Sequence, residues 1–286
     1  MNLIPDTRAD PADLWTVGGV ELESRVLLGT SRYPSLQALL DSVAASHTEM
    51  VTVAVRRIDV GAPEGGESLL GALRQAGAAR EAAGGRPLHL LPNTAGCLTA
   101  REAVFTAQLA REALGTNLVK LEVIGDDGAG RRPTLYPDAV ETLRAASELV
   151  ADGFEVFAYC GDDPVTARKL AGVGCAAVMP LAAPIGSGMG LVNPYALRLV
   201  RDLLPDIPLV VDAGLGTASD AAQAMELGYD GVLLNTAVSG AQHPAAMAEA
   251  FGLATRAGRL AFQAGRIPRR TFATASTPDE GRVAGW

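Results

Sequence analysis

Two charged side chains interrupt an apolar stretch near the middle of the chain. The segment 117–124 (NLVKLEVI) is rich in β-branched and long aliphatic residues and is bracketed by Gly115 and Gly125, a composition that predicts a buried strand. Residues two apart on a strand project to the same side, so Lys120 and Glu122 point together and away from their aliphatic neighbours. We therefore expect an amine and a carboxylate to share one site.

A lysine in such a place suits nucleophilic chemistry. The chain contains only two lysines, Lys120 and Lys169, and otherwise uses arginine for positive charge. Lysine loses its proton when it is desolvated, whereas arginine does not. A neutral amine attacks a ketone to form an imine, and the iminium form makes the neighbouring C–H bonds acidic. Glu122 and Asp212, which ends a later strand, are the candidate acid–base groups that move those protons.

Both residues also have a structural alternative. Lys120 paired with Glu122 or Asp212 would be an ion pair without chemistry, although removing two charges from water generally costs more than their pairing returns. An aspartate at the end of a strand, such as Asp212, also serves to cap a turn, here the one at Gly214.

The elements that must position these residues alternate between strands and helices. The predicted strands are 24–28, 50–55, 88–91, 118–124, 154–159, 176–179, 208–212 and 231–234, and a predicted helix follows each of them. Near-continuous apolar strands indicate a parallel sheet, and eight strand–helix units favour a (β/α)8 barrel, with a doubly wound sheet as the alternative. We expect one barrel domain over 14–270 that begins with a short hairpin at 15–22, with flexible tails at 1–13 and 271–286.

Glycine-rich turns follow the later strands, where a barrel carries its active site. These turns are 184–188 after the sixth strand and 212–217 after the seventh, and Asn235-Thr236 ends the eighth. Glycines let backbone N–H groups approach an anion, and Thr217 or Ser219 would cap the next helix so that its positive end faces the same point. The loops after strands seven and eight are the usual phosphate site of this fold, so we expect a phosphate here. The G-x-G-T motif alone is weak, because glycine turns also serve merely to reverse the chain.

Composition narrows the classes of partner. The chain has 286 residues, 48% of them hydrophobic, and a net charge of −8, which argues against general binding of nucleic acid or anionic membranes. No apolar run reaches the roughly 18 residues that a membrane-spanning helix needs, and we expect a cytoplasmic protein. The three cysteines and three histidines are widely spaced, which predicts neither a disulfide framework nor a metal site, and we expect no cofactor.

Two further features have a functional and a structural interpretation. Cys97 has the chemistry of a nucleophile, but a buried small hydrophobe is favoured for it and for Cys160 and Cys175. Arg56-Arg57, after the second strand, would suit an anionic substrate or partner, although paired arginines usually form a solvated surface.

Taken together, several segments resemble one known family. From Leu14 to Arg270 the chain is similar, in unbroken order, to the thiazole synthase family of bacterial thiamine biosynthesis. The segments that carry the resemblance are 51–57 (VTVAVRR), 91–97 (LPNTAGC), 109–116 (LAREALGT), 119–124 (VKLEVI), 162–164 (DDP), 174–181 (GCAAVMPL), 211–214 (VDAG) and 218–228 (ASDAAQAMELG).

The resemblance implies a (β/α)8 barrel in which Lys120 forms an imine with 1-deoxy-D-xylulose 5-phosphate. It implies Glu122 and Asp212 as acid–base residues, a sulfur donor that is the C-terminal thiocarboxylate of a small ubiquitin-like sulfur carrier protein, dehydroglycine as the source of the remaining C–N unit, and a homo-oligomer. The phosphosugar contacts carry over to Gly186, Ala213, Gly214, Asn235 and Thr236.

The chain also departs from the family pattern near the expected mouth of the site. The departures are Ser31 and Arg32 in the first-strand loop, Ala182 in place of glycine, Phe157-Ala158 before Tyr159 and a longer loop at 126–133. A methyl group at Ala182 is expected to narrow whatever lies against it. A variant of the family, 2-thiosugar synthase, which acts on a hexose phosphate in antibiotic pathways, is therefore an alternative. Two further hypotheses are an aldolase that uses the same lysine and a non-catalytic scaffold that docks a carrier protein.

Overall fold

The computed structural model of the protein describes residues 13–55, 68–125 and 133–276. Arg56-Arg57 and residues 126–132 of the predicted loop lie outside the described residues. Of the two predicted tails, Asp13 and residues 271–276 lie within them.

In the described part of the chain, eight parallel strands form a barrel that is preceded by an antiparallel hairpin. The hairpin pairs β1 (Trp15–Val17) with β2 (Val20–Leu22). The barrel strands are β3 (Val26–Gly29), β4 (Met50–Ala54), β5 (His89–Asn93), β6 (Leu118–Leu121), β7 (Glu155–Cys160), β8 (Ala177–Pro180), β9 (Val210–Asp212) and β10 (Gly231–Leu234). Their order is β8-β7-β6-β5-β4-β3-β10-β9, and bridges from Val178 to Leu209 and from Leu181 to Asp212 join the two ends. The predicted (β/α)8 barrel is therefore confirmed and the doubly wound alternative is wrong.

Helices surround the barrel, and at least one follows each barrel strand, as predicted. They are α1 (Leu36–Ser46), α2 (Leu69–Ala82), α3 (Ala100–Leu114), α4 (Ala139–Ala151), α5 (Pro164–Gly172), α6 (Pro194–Leu203), α7 (Ala218–Glu226), α8 (Thr236–Ser239) and α9 (Pro244–Ala264). Side chains of Ser35, Thr99 and Asp163 accept hydrogen bonds from first-turn N–H groups, which fixes where α1, α3 and α5 start. The single-turn helix α8 was not predicted, because four residues are too few to show a helical period.

The wall of the barrel separates two layers of hydrophobic core. The outer layer lies between strands and helices and includes Val119, Leu121 and Val123. The inner layer fills one half of the barrel and includes Leu27, Met50, Leu91, Leu118, Phe157 and Met179. Apolar side chains thus occupy the half of the interior that lies on the side where the strands begin.

The hairpin closes that end of the barrel. Trp15 and Leu22 belong to the inner core layer. Gly18 has φ +56°, and a Cβ atom at this position would lie 2.8 Å from Cδ2 of Leu118, so the turn needs glycine for both conformation and space. A Cβ atom at Gly231 would lie 3.3 Å from Cη2 of Trp15. Leu118 and Gly231 begin β6 and β10, so the hairpin covers the amino ends of the strands and the opposite end remains for chemistry.

An ion-pair cluster ties the segment before the hairpin to the last helix. The Asp13 carboxylate lies 2.9 Å from Nη2 of Arg25 and 2.8 Å from Nη2 of Arg259 in α9. Burial alone would raise the pKa of Asp13, but the hydrogen bond from Arg259 and the charge of Arg25 lower it overall. A carboxyl with a lowered pKa stabilises the fold above its ordinary pKa, and this contribution is lost only as the pH falls through the lowered value.

Truncation of the hairpin's aromatic residue should destabilise the whole barrel. Trp15→Ala removes a buried indole from the inner core together with its hydrogen bond to the Ser24 carbonyl, so we expect the free energy of unfolding to fall by about 3–5 kcal/mol in urea titrations. Thr16→Ala is the matched control, because Thr16 is exposed on the same strand and should change stability by less than about 0.5 kcal/mol. Equal effects of the two substitutions would contradict the role given to the hairpin.

Candidate active site

The strand that carries Lys120 ends earlier than its sequence predicts, and a side chain takes over its pairing. β6 stops at Leu121 instead of continuing to Ile124. Beyond it, Oγ1 of Thr94 donates to the Glu122 carbonyl and accepts from the Glu122 N–H, both at 2.8 Å. The Thr94 N–H in turn donates to the Lys120 carbonyl at 3.1 Å. One buried threonine therefore fixes the backbone of both charged residues.

The predicted alternation along this segment is confirmed. Val119, Leu121 and Val123 are fully buried in the outer core, whereas Lys120 and Glu122 line a cavity inside the barrel. The period of two thus places the charges inward although the regular ladder ends between them.

The lysine amine contacts an aspartate from β9, which is separated from β6 by β7 and β8. Nζ of Lys120 lies 2.5 Å from Oδ2 of Asp212, and the two side chains are 7% and 4% exposed. Asp212 is the last residue of β9, so both groups sit where their strands end. The contact supports the structural alternative only in part, because a buried ion pair is rarely stabilising by itself and this one borders an open cavity.

A cavity of about 390 Å³ at the carboxyl ends of the strands brings the predicted site residues together. All eight line it: Lys120, Glu122, Asp212, Gly186, Ala213, Gly214, Asn235 and Thr236. The sequence therefore located the cavity, while the role given to each residue stays a prediction. The lysine and the two carboxylates form one side, and backbone-rich loops form the other.

The loops after β8, β9 and β10 form the side of the cavity that is rich in glycine. Gly186 and Ala213 have positive φ angles of 73° and 60°. Gly214, at φ +72°, packs so closely that a Cβ atom would lie 2.4 Å from Cβ of Ala183, so no larger residue fits there. Thr236 begins α8 directly after β10, where barrels of this type bind phosphate.

The predicted cap at Thr217 is confirmed, but the positive end of its helix already has a partner within the chain. Thr217 is the N-cap of α7, but Asp220 in the first turn accepts hydrogen bonds from the N–H groups of Gly216 and Thr217, both at 2.9 Å. A carboxylate of the chain itself therefore already occupies the positive end of this helix. The loops at Gly186 and Thr236 are left as the better anion-binding part of the cavity.

Three of the departures from the family pattern take distinct positions. Ser31 lines the cavity, and its N–H donates to Oδ1 of Asn235 at 3.3 Å. Arg32 is exposed and has φ 65°. Ala182 is 1% exposed within the outer core layer, where its methyl group packs towards the helices. The methyl group of Ala182 therefore lies against the outer core, and Ala182 is not among the residues that line the cavity.

Tyr159 is a neighbour of the amine whose role the sequence did not indicate. It is fully buried, and the centroid of its ring lies 5.6 Å from Nζ of Lys120. Burial raises the pKa of the phenol, and the negative charges of Asp212 and Glu122 raise it further. The usable sequence signal was its inward position two residues after Phe157, which lies in the inner core.

The cysteines have the structural role that the sequence favoured. Cys97, Cys160 and Cys175 are all buried. Burial raises the pKa of the Cys160 thiol, and it raises that of Cys175 to about 12. Thiols in this state are poor nucleophiles, so Cys160 and Cys175 act as small hydrophobes.

Among the helices that the structure describes, none has the length and apolar character needed to cross a membrane.

Comparison with known proteins identifies the family. Residues 16–278 match the family described as "Thiazole biosynthesis protein ThiG". The chain belongs to the thiazole synthase family. Thiazole synthase of Geobacter metallireducens is 51% identical over 271 residues, which cover 95% of this chain and 98% of that protein. Thiazole synthase of Burkholderia pseudomallei is 54% identical over 276 residues, 96% of each chain.

A solved structure agrees with this assignment. The crystal structure of the Amycolatopsis orientalis BexX/CysO complex contains a chain that is 32% identical to this one, with a TM-score of 0.73. The match covers 90% of this chain and 98% of that one. The family resemblance deduced from sequence segments is thus confirmed, and with it the enzymatic nature of a thiazole synthase-type protein.

Loss of the Thr94 hydroxyl should disturb the end of β6. In Thr94→Val the N–H and carbonyl of Glu122 both lose their buried partner, so we expect a loss of about 2–5 kcal/mol in unfolding free energy, measured in urea. Thr94→Ser keeps the hydroxyl and should retain most of the stability. A serine variant as unstable as the valine variant would show that the methyl group, and not the hydrogen bonds, is what matters.

Proposed function

We propose that this chain is a thiazole synthase that holds 1-deoxy-D-xylulose 5-phosphate as an imine of Lys120 and incorporates sulfur from a carrier protein thiocarboxylate to build the thiazole phosphate of thiamine. Membership in the family supports the reaction, and the buried Lys120–Asp212 pair at the edge of the cavity carries the assignment of the residues. The enzyme is accordingly a sulfur-incorporating transferase.

The contact between amine and carboxylate suits the first step. Asp212, 2.5 Å from Nζ, takes a proton from the Lys120 ammonium, and the neutral amine attacks the ketone carbon. The oxygen of the resulting carbinolamine collects the proton from Asp212 and a second proton from the nitrogen, and it leaves as water. The products are a protonated imine on Lys120 and an ionised Asp212, so charge and atoms balance.

The second step uses the acidity that the iminium creates. A carboxylate removes a proton from the carbon next to the iminium carbon, and the electron pair of that C–H bond forms an enamine. Glu122 lines the same cavity as Asp212, and its backbone is fixed by Thr94, so a second carboxylate is available to the bound ketone. Two carboxylates around one iminium allow protons to be removed and returned at different carbons.

The phosphate of the sugar belongs at the glycine-rich side of the cavity. Gly186, Ala213 and Gly214 there present backbone at close range, and Asn235 and Thr236 stand at the start of α8. An anion held at this point would leave the ketone carbon to face Lys120. Because the net charge of the chain is negative, the protein as a whole does not attract a phosphate, and phosphate binding depends more on these local N–H groups.

The sulfur source in this proposal is a second protein. The A. orientalis relative was crystallised as a complex of two proteins, which supports docking of a protein partner to this barrel type. We assign that role to a ubiquitin-like sulfur carrier whose C-terminal thiocarboxylate reaches the cavity from the open end of the barrel. A homo-oligomeric state and a cytoplasmic location are further expectations of the proposal.

The imine at Lys120 can be tested by reductive trapping. Incubation with 1-deoxy-D-xylulose 5-phosphate and borohydride should add one reduced sugar to Lys120, located by peptide mass spectrometry. Lys169 is exposed in α5 and is the internal control, because the chain contains no other lysine. The trapped adduct should vanish in Lys120→Arg, since arginine stays charged. An adduct with a hexose phosphate ketone alone would assign the 2-thiosugar reaction, and no adduct with either would refute the proposal.

Removal of the phosphate from the substrate tests the anion site. 1-Deoxy-D-xylulose should be trapped on Lys120 only at concentrations about a hundredfold higher than its phosphate ester, since charge-assisted hydrogen bonds to a phosphate typically contribute a few kcal/mol. The measurement is the concentration that gives half-maximal adduct. Equal half-maximal concentrations for the two ketoses would show that the glycine-rich loops do not bind the phosphate.

A further inference from the structure

Tyr159 on β7 has a buried hydroxyl group that does not help to stabilise the fold. Its side chain is fully buried between the aliphatic side chains of Ile124 and Leu181 and the amine of Lys120. Among the described residues, none forms a hydrogen bond with its hydroxyl. An unpaired buried hydroxyl lowers stability, whereas phenylalanine would fill the same space without that loss. The hydroxyl therefore needs a hydrogen-bond acceptor that becomes available during the reaction.

Asp212 is the natural candidate for that partner. Within the described part of the chain, its Oδ2 atom makes no hydrogen bond of regular geometry, and its close neighbour is Nζ of Lys120 at 2.5 Å. Burial and then the charge of Asp212 are the two largest causes that raise the pKa of Tyr159, so the phenol stays protonated at any working pH and is able to donate. The tyrosine that carries the donor and the carboxylate that would accept thus both lie near the same amine.

Imine formation changes the surroundings of Asp212. In the protonated imine, Nζ is bonded to the ketone carbon and keeps a single hydrogen, so the nitrogen offers the Asp212 carboxylate one N–H donor where the ammonium offered three. We propose that Tyr159 is a positioning residue for the reaction: its hydroxyl then donates to the Asp212 carboxylate and holds it ionised beside the iminium. This inference rests on the proposed function, and it adds the residue that keeps the base in place.

Tyr159→Phe separates the two steps of the reaction. The ring that faces the amine is kept, so borohydride trapping on Lys120 should stay within about twofold of wild type, since a phenylalanine ring retains most of a cation–π contact. Deuterium uptake from D2O at the carbons next to the ketone should slow by about tenfold or more, because the base is no longer held in place beside the iminium and a smaller fraction of it is ionised.

The pH profile gives the sign of the effect. A donated hydrogen bond favours the carboxylate, so its removal raises the pKa of the base. The acidic limb of the exchange rate should therefore move to higher pH in Tyr159→Phe. A merely structural tyrosine would lower the yield of active protein without moving this limb.

Tyr229→Phe is a matched control. Tyr229 is also fully buried, but its hydroxyl donates to the Leu197 carbonyl at 2.9 Å, in the outer core. Loss of that bond should lower Tm by about 2–4 °C and leave the pH limb unchanged. Tyr159→Phe should show the opposite pattern, with Tm unchanged or higher and the pH limb shifted.

Two outcomes overturn the proposal. One is a Tyr159→Phe enzyme with the exchange rate and pH limb of wild type. The other is a Tyr159→Phe enzyme in which trapping, exchange and Tm fall together, which would make the tyrosine structural. Failure of the underlying function is recognised separately, because the wild-type enzyme would then give no adduct at Lys120.

Discussion

The contact between Lys120 and Asp212 is the interaction on which the arrangement of the rest of the barrel depends. Two opposite charges 2.5 Å apart and almost shielded from water are stable only while both stay ionised and close. Either charge alone would be strongly destabilising, so the pair must be held by rigid elements. The ends of β6 and β9 provide this rigidity, since each charged residue continues directly from a fully buried strand segment. A ketone that reacts with the amine changes the charge balance between Lys120 and Asp212. Imine formation is therefore coupled to the electrostatics of this one ion pair.

The interior of the barrel is divided between stability and reaction. Apolar side chains and the hairpin fill the end where the strands begin, and polar groups and glycine-rich loops surround the cavity at the other end. The division follows from the direction of parallel strands, whose carboxyl ends all meet on one side. Thr94 links the two halves, because its hydroxyl completes the ladder at the level where the apolar core gives way to the cavity.

The sequence predicted the features that depend on period and on chain order. The alternation of residues 117–124 placed Lys120 and Glu122 together, and the ends of the sixth to eighth strands placed the other six site residues around the same cavity. Side-chain direction beyond a strand end was not predictable in this way. Ala182 lies just after β8, where the period no longer applies, and it turned outward. Tyr159 has the pattern of an ordinary core aromatic residue, and only the three-dimensional fold brings its ring near the lysine amine.

The closeness of Trp15 to Gly231 has a consequence for how the chain folds. The hairpin is made first and β10 is among the last elements made, yet both belong to one inner core. Contacts between the two ends of a chain cannot form until synthesis is nearly complete, and such distant contacts slow folding. The first residues of the barrel must therefore wait, with an indole and several aliphatic side chains unburied, until the last strand leaves the ribosome. During that interval the unburied apolar side chains expose the chain to aggregation.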